Sequence, residues 1–217
     1  MMDERITILT VINRINERFI KECWESIKKQ TWKNWEWFIL VDGNTEVYEF
    51  LNKVMPKSDK IIIHKYKKRT LGIGEPSNTV LHLAHPYIAV QDIDDVMVPD
   101  RLEKQIIYLK THPEVTIVGG QIIIFRDITK EFCGTTNHPP VIDAKQIYQE
   151  ALNGSVSWFM NHPTAMYKRD DILAIGGYDI DEYRATDIGL WLKALAAGYV
   201  LHNLPDVLVF YRQHDHQ

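Results

Sequence analysis

Short apolar runs alternate with helical stretches through the first half of this chain, and that alternation restricts the fold more than any other feature. Ile6 to Ile12, Trp35 to Val41, Lys60 to His64 and Tyr87 to Val90 read as buried strands. Between the first two, Glu17 to Gln30 places Phe19, Ile20, Cys23, Trp24 and Ile27 on one helical face. Val47 to Met55 and Pro76 to Ala84 are weaker helices, the second with proline at an allowed early position. A helix over Asp100 to Thr111 and a strand over Val115 to Val118 continue the series. Such alternation argues for right-handed crossovers and an α/β domain with a mostly parallel, Rossmann-like sheet.

The second half is less regular. Strands are expected at Ile122 to Phe125, Thr164 to Tyr167 and Val207 to Tyr211, with a loop over Thr129 to Pro140. Helices are expected at Asp143 to Leu152, Arg169 to Ile175 and Asp187 to Ala197. No repeat or linker divides the 217 residues, which suit one large α/β domain over 1–217, or a fragment of a longer protein. The net charge of −4 gives no general attraction to nucleic acid or to anionic membranes. Cys23 and Cys133 form no metal-ligand or redox spacing, which fits a reducing compartment. No leader and no apolar run near the ~18 residues of a membrane span are visible, so a cytoplasmic location is expected.

Asp92, Asp94 and Asp95 gather at the end of the fourth strand. Like charges at a strand tip raise the cost of ionising one another, and a hard divalent cation, Mg²⁺ or Mn²⁺, is the common remedy. The other reading is a polar turn ahead of the helix that Pro99-Asp100 opens. Ligands of open parallel sheets bind at the carboxyl ends of strands, which would bring Asn13, Asp42 and Asp92 to one rim. Asp42 either accepts from a base or ribose or simply forms the turn with Gly43. Gly72 and Gly74 either admit a phosphate to backbone N–H groups or mark a loop.

At this point the residues resemble the family 2 glycosyltransferases, inverting enzymes of the GT-A fold. The resemblance is carried by Ile8 to Arg14, by Ser26 to Glu36 with Asp42-Gly43, and by Leu71-Gly72 through Ser77-Asn78. It continues in Gln91 to Asp95 with Pro99 to Gln105, which look like the family's DxD motif and trailing helix. Asn161 to Tyr167, Gly176-Gly177-Tyr178, Thr186-Asp187 and Leu190-Trp191-Leu192 resemble the acceptor-side half. The chain departs from the pattern at Thr186, where Glu is usual, and at Gly189, Ser77, Val11-Ile12 and the single Asp42. It has no Gln-x-x-Arg-Trp motif, which argues against a processive synthase.

The resemblance implies a GT-A sheet with a mixed, smaller acceptor-side part, residues up to about 120 binding nucleotide and about 121–217 binding acceptor. It implies a UDP-sugar donor, a glycan or lipid-linked acceptor and a divalent cation, with peripheral membrane contact left open. Nucleotide contacts would come from Thr10, Val11, Asn13 and Asp42, and from Gly72, Asn78, Asp92 and Ile93. Asp94, Asp92 and His214 would hold the metal, with His216 a weaker candidate. Asp187 would be the general base, its other reading being a helix cap or first-turn acid. His162, Trp158, Thr186 and Trp191 would line the acceptor or sugar pocket, although His162 reads equally as a packed residue and Trp158, in an apolar run, more often as core. A sugar-phosphate nucleotidyltransferase wants a glycine-rich loop after strand one, where Asn13 to Asn16 has none. A catalytically silent nucleotide- or glycan-binding domain is the alternative from another class.

Overall fold

The computed structural model describes residues 4–70, 72–154, 158–181 and 185–214; Leu71 and His216 lie outside them. Strands β1 (Ile6–Ile12), β2 (Trp35–Val41), β3 (Ile61–Lys65) and β4 (Tyr87–Val90) pair in parallel in the order β3-β2-β1-β4. Helices α1 (Glu17–Lys28), α2 (Thr45–Val54) and α3 (Gly74–Leu81) connect them. Asn16 caps α1 by accepting from Phe19 N–H, and Asn44 caps α2 by accepting from Glu46 and Val47 N–H. Every residue of β2 is buried, as a parallel strand covered on both faces requires. Alternate side chains feed two cores: Ile8, Trp37 and Ile39 join one with Ile20 and Leu51, while Leu9, Phe38 and Leu40 join another with Val80 and Leu190.

The later strands continue this sheet. β5 (Val96–Met97), β6 (Val115–Arg126), β7 (Phe132–Thr135), β8 (Met166–Lys168) and β9 (Val200–Gln213) extend it in the order β4-β8-β6-β9-β5, with β7 on β6. β8 is antiparallel to both β4 and β6, whereas β6 and β9 run parallel from Val115↔Val200 to Arg126↔Gln213. Helix α4 (Arg101–Thr111) leads into β6, and α5 (Ala144–Leu152), a 3-10 turn (His162–Thr164), α6 (Arg169–Ala174) and α7 (Thr186–Ala196) complete the path. The mixed part is therefore continuous with the parallel part in one nine-stranded sheet.

Several elements differ from the sequence expectation. Ile122 to Phe125 is the second half of β6, which runs unbroken through Gly119-Gly120. A β-carbon on Gly119 would lie 2.6 Å from Asn203 Oδ1, and one on Gly120 2.5 Å from Leu208 Cδ1, so this pair admits β9 against β6. Two of the three register shifts between the strands fall at the same place. β9 begins at Val200 rather than Val207, and β7 occupies part of the expected Thr129–Pro140 loop. Thr164 belongs to the 3-10 turn, and strand β8 starts at Met166. No helix among the described residues is long and apolar enough to cross a membrane.

Candidate active site

Two adjoining clefts open above the carboxyl ends of the central strands. The first, of about 510 Å³, lies between the loop after β1 and the acidic turn; Val11, Asn13, Arg14, Asp92, Ile93, Asp94, Tyr211 and His214 line it. The second, of about 530 Å³, is lined by Gly72, Asp92, Ile122, Trp158, His162, Thr186, Asp187 and Tyr211 among others. Asp92 and Tyr211 belong to both, so the clefts meet there.

The acidic turn is short of positive charge. Burial, then the Asp94 charge, pushes the Asp92 carboxyl up to about 7, with buried Arg101 pulling it back. Burial also raises Asp95 well above the carboxylate range, helped by Asp92 and Asp94. Asp95 Oδ1 accepts from Arg212 N–H at 2.9 Å, while its buried Oδ2 has no hydrogen-bond partner among the described residues. Asp94 Oδ2 contacts His214 Nε2 at 2.9 Å, and the His214 ring lies 5.1 Å from that of Phe19. No group of three or more His, Cys, Asp and Glu side chains among the described residues encloses a metal by itself. One or two carboxylates suffice where substrate phosphates complete the shell, and an oxygen and a nitrogen donor beside a surplus of carboxylates fit such a cation.

Arg212 fixes this turn to β9. Its Nε donates to Asp94 O at 2.6 Å, and its fork reaches Asp127 at 2.6 Å and Glu22. The guanidinium is sandwiched between the rings of Phe19 (4.5 Å) and Phe125 (4.9 Å). Arg18 donates to the other oxygen of Asp127, and this bond, with those from Arg212 and Lys130, holds the carboxyl well below the usual range against its burial.

On the second cleft, Asp187 stands in the first turn of α7, where the helix dipole favours a carboxylate. The capping position is Ala185, so Asp187 caps nothing, and no described side chain holds it by a hydrogen bond. His162 is anchored from behind by a buried chain, Nε2 to Tyr178 OH at 3.1 Å and on to Tyr167 OH at 3.2 Å. Burial lowers the His162 pKa, which keeps the ring neutral, with Asp187 opposing the shift. The exposed Trp158 ring stands at this cleft's wall.

The residues singled out in the sequence thus divide. Val11, Asn13, Asp92, Ile93, Asp94 and His214 meet in the first cleft; Gly72, Trp158, His162, Thr186 and Asp187 meet in the second. Gly72 therefore lines the second cleft rather than the first. Thr10 lines neither, because its buried Oγ1 donates to Gln91 O and accepts from Trp37 Nε1. Asn78 lines neither, since its amide is bonded twice to the Tyr178 backbone, both at 2.8 Å. Trp191 is buried behind His162, 6.0 Å ring to ring, and lines neither cleft. Asp42 is buried, and its carboxylate accepts from Thr70 N–H and Oγ1, tying the 68–70 loop down beside Gly43. Gly43 has φ +68, and a β-carbon there would lie 2.1 Å from Arg69 N. No sequence pattern singles out Tyr211, Arg212 or Asp127; the one signal is the proximity of Tyr211-Arg212 to His214 in sequence.

The chain matches the family described as Glycosyl transferase family 2 over residues 7–175. An uncharacterized glycosyltransferase of Haemophilus influenzae is 32% identical over 94% of this chain and 74% of that protein. The amylovoran biosynthesis glycosyltransferase AmsE of Erwinia amylovora is 29% identical over 93% of this chain and 73% of its own length. The crystal structure of S. aureus TarS 1-349 in complex with UDP-GlcNAc superimposes with a TM-score of 0.69 at 15% identity, over 98% of this chain and 60% of that one. That likeness bears on the fold, the large mixed α/β sheet of GT-A enzymes. By its sequence over most of its length, this chain belongs to glycosyltransferase family 2.

Proposed function

We propose that this chain transfers a hexose from a UDP-sugar to a glycan or lipid-linked acceptor, with inversion and one sugar at a time. The observation that carries the reading is the meeting of two clefts at Asp92 and Tyr211, with Asp187 in only one of them. The first cleft takes the nucleoside diphosphate and the second takes the acceptor. The UDP-GlcNAc bound to TarS supports a UDP-sugar donor, and AmsE, named for amylovoran biosynthesis, supports a glycan product. Asp94 and His214, with Asp92 beside them, would hold Mn²⁺ or Mg²⁺, which supplies positive charge against the diphosphate.

In-line displacement follows from this division. The acceptor hydroxyl enters from the Asp187 side, its oxygen forming a bond to the anomeric carbon as the bond to the diphosphate breaks. Asp187 takes the hydroxyl proton, and the single in-line displacement gives the new linkage the opposite configuration. Neutral His162 and Trp158 orient the accepting sugar, the first by hydrogen bonding and the second by stacking.

The test is UDP release from UDP-GlcNAc, UDP-galactose and UDP-glucose with Mn²⁺. Asp187→Asn should lower the rate by about 10²–10⁴-fold with UDP affinity unchanged, the worth of a general base. A wild-type protein that binds UDP yet neither hydrolyses nor transfers from any UDP-sugar overturns the enzyme in favour of a silent binding domain.

A further inference from the structure

Arg101 is a fully buried charge that lines neither cleft. It opens α4, and all its hydrogen bonds go to neutral acceptors. Nε donates to Gln105 Oε1 at 3.0 Å, Nη1 to Gln91 Oε1 at 3.0 Å, and Nη2 to Val90 O at 2.7 Å and Ala165 O at 3.5 Å. A buried guanidinium without a bonded carboxylate is a costly choice where a leucine would fill the space. Its partners give the reason. Gln91, held by Arg101, donates through Nε2 to Asp92 O at 2.8 Å and Asp95 O at 3.1 Å, which shapes the acidic turn. Gln105, held by the same guanidinium, donates to Thr164 O and to Val118 O, both at 2.8 Å. Thr164 and Ala165 end the 3-10 turn that begins at His162. One buried network thus grips the floor of the donor cleft with one hand and the acceptor turn with the other.

We propose that Arg101 and Gln105 are positioning residues for sugar transfer, fixing the separation between the Asp92–Asp95 turn and the His162–Thr164 turn across which donor and acceptor must meet. The proposal rests on the reading of the two clefts as donor and acceptor sides. Arg101 touches neither substrate; it acts through Gln91, Val90 and Ala165. Only a planar fork with donors on several edges reaches these acceptors and Gln105 Oε1 at once, so lysine is not an equivalent.

The test compares wild type with Arg101→Lys and Gln105→Leu, each assayed well below its own Tm. UDP affinity is measured by calorimetry with Mn²⁺. UDP release from UDP-GlcNAc and UDP-galactose is followed with and without a p-nitrophenyl glycoside that the wild type accepts. A positioning role leaves UDP affinity within about twofold and hydrolysis in water largely intact, while acceptor-dependent kcat falls about tenfold to a hundredfold, the loss expected from a misplaced reactant. Losses shared equally by UDP binding, hydrolysis and transfer, in step with Tm, overturn it in favour of a purely structural role. If the wild type releases no UDP from any donor, the functional reading fails by itself and crystal structures decide the clamp. A shift of the 162–165 turn relative to Asp92 in Arg101→Lys then supports it, and unchanged placement overturns it.

Discussion

Single residues show which chemistry can be read from a sequence and which cannot. Asp92, Asp94 and Asp187 stood out because carboxylates at strand tips and helix starts are conspicuous against apolar runs. Thr10 and Asn78 sat in equally suggestive places, yet the fold uses their polar atoms to close its own hydrogen bonds. A sequence does not say which partner a polar atom finds. His214, wedged between Phe19 and Asp94, depends on its neighbours for its place. His214→Ala should weaken Mn²⁺-dependent UDP binding about tenfold and leave metal-free binding unchanged, by calorimetry with and without Mn²⁺. Gly43→Ala should cost roughly 2 kcal/mol or more in urea unfolding, because the positive φ and the Arg69 backbone both oppose a side chain.

At the scale of elements, the parallel half was legible because β-branched strands and capped amphipathic helices each announce themselves locally. The rest was set by contacts between distant segments. Gly119-Gly120 looks like a break in a strand, but serves the approach of β9. Two-residue β5 exists only because Val96 and Met97 find Phe210 and Val209. The same holds for the ion network joining α1, the β6–β7 hairpin and β9 through Glu22, Arg18, Asp127 and Arg212. Asp127→Ala removes a carboxylate from buried Arg212 and should cost about 3 kcal/mol. Because its partners depress the Asp127 pKa, its contribution is present above the unfolded value of about 4 and is lost as pH falls below that. Asp127→Asn should therefore flatten the acid limb of stability below about pH 4; an acid limb as steep as wild type's in urea titrations would contradict this.

Over the whole molecule, the expected division near residue 120 falls inside β6, and the first cleft takes Tyr211 and His214 from the far end of the described chain. The two clefts are therefore built on strands from both ends of the chain, interleaved in one sheet. Ligand binding should accordingly stabilise the fold as a unit. UDP with Mn²⁺ at about a hundred times its Kd should add about 2.7 kcal/mol, raising Tm by about 5–10 °C in a single transition. Two resolved transitions, with only one responding, would show that the halves melt separately.

The placement of β9 also bears on how the protein is made. Tyr211 and His214 are synthesised well after Val11, Asn13 and Asp94, the other walls of the first cleft. A nascent or prematurely terminated chain lacking this strand holds the acidic turn without Arg212 to set it and without His214 to meet Asp94. The first cleft therefore forms only once β9 has been made, and a chain cut before β9 has no complete first cleft.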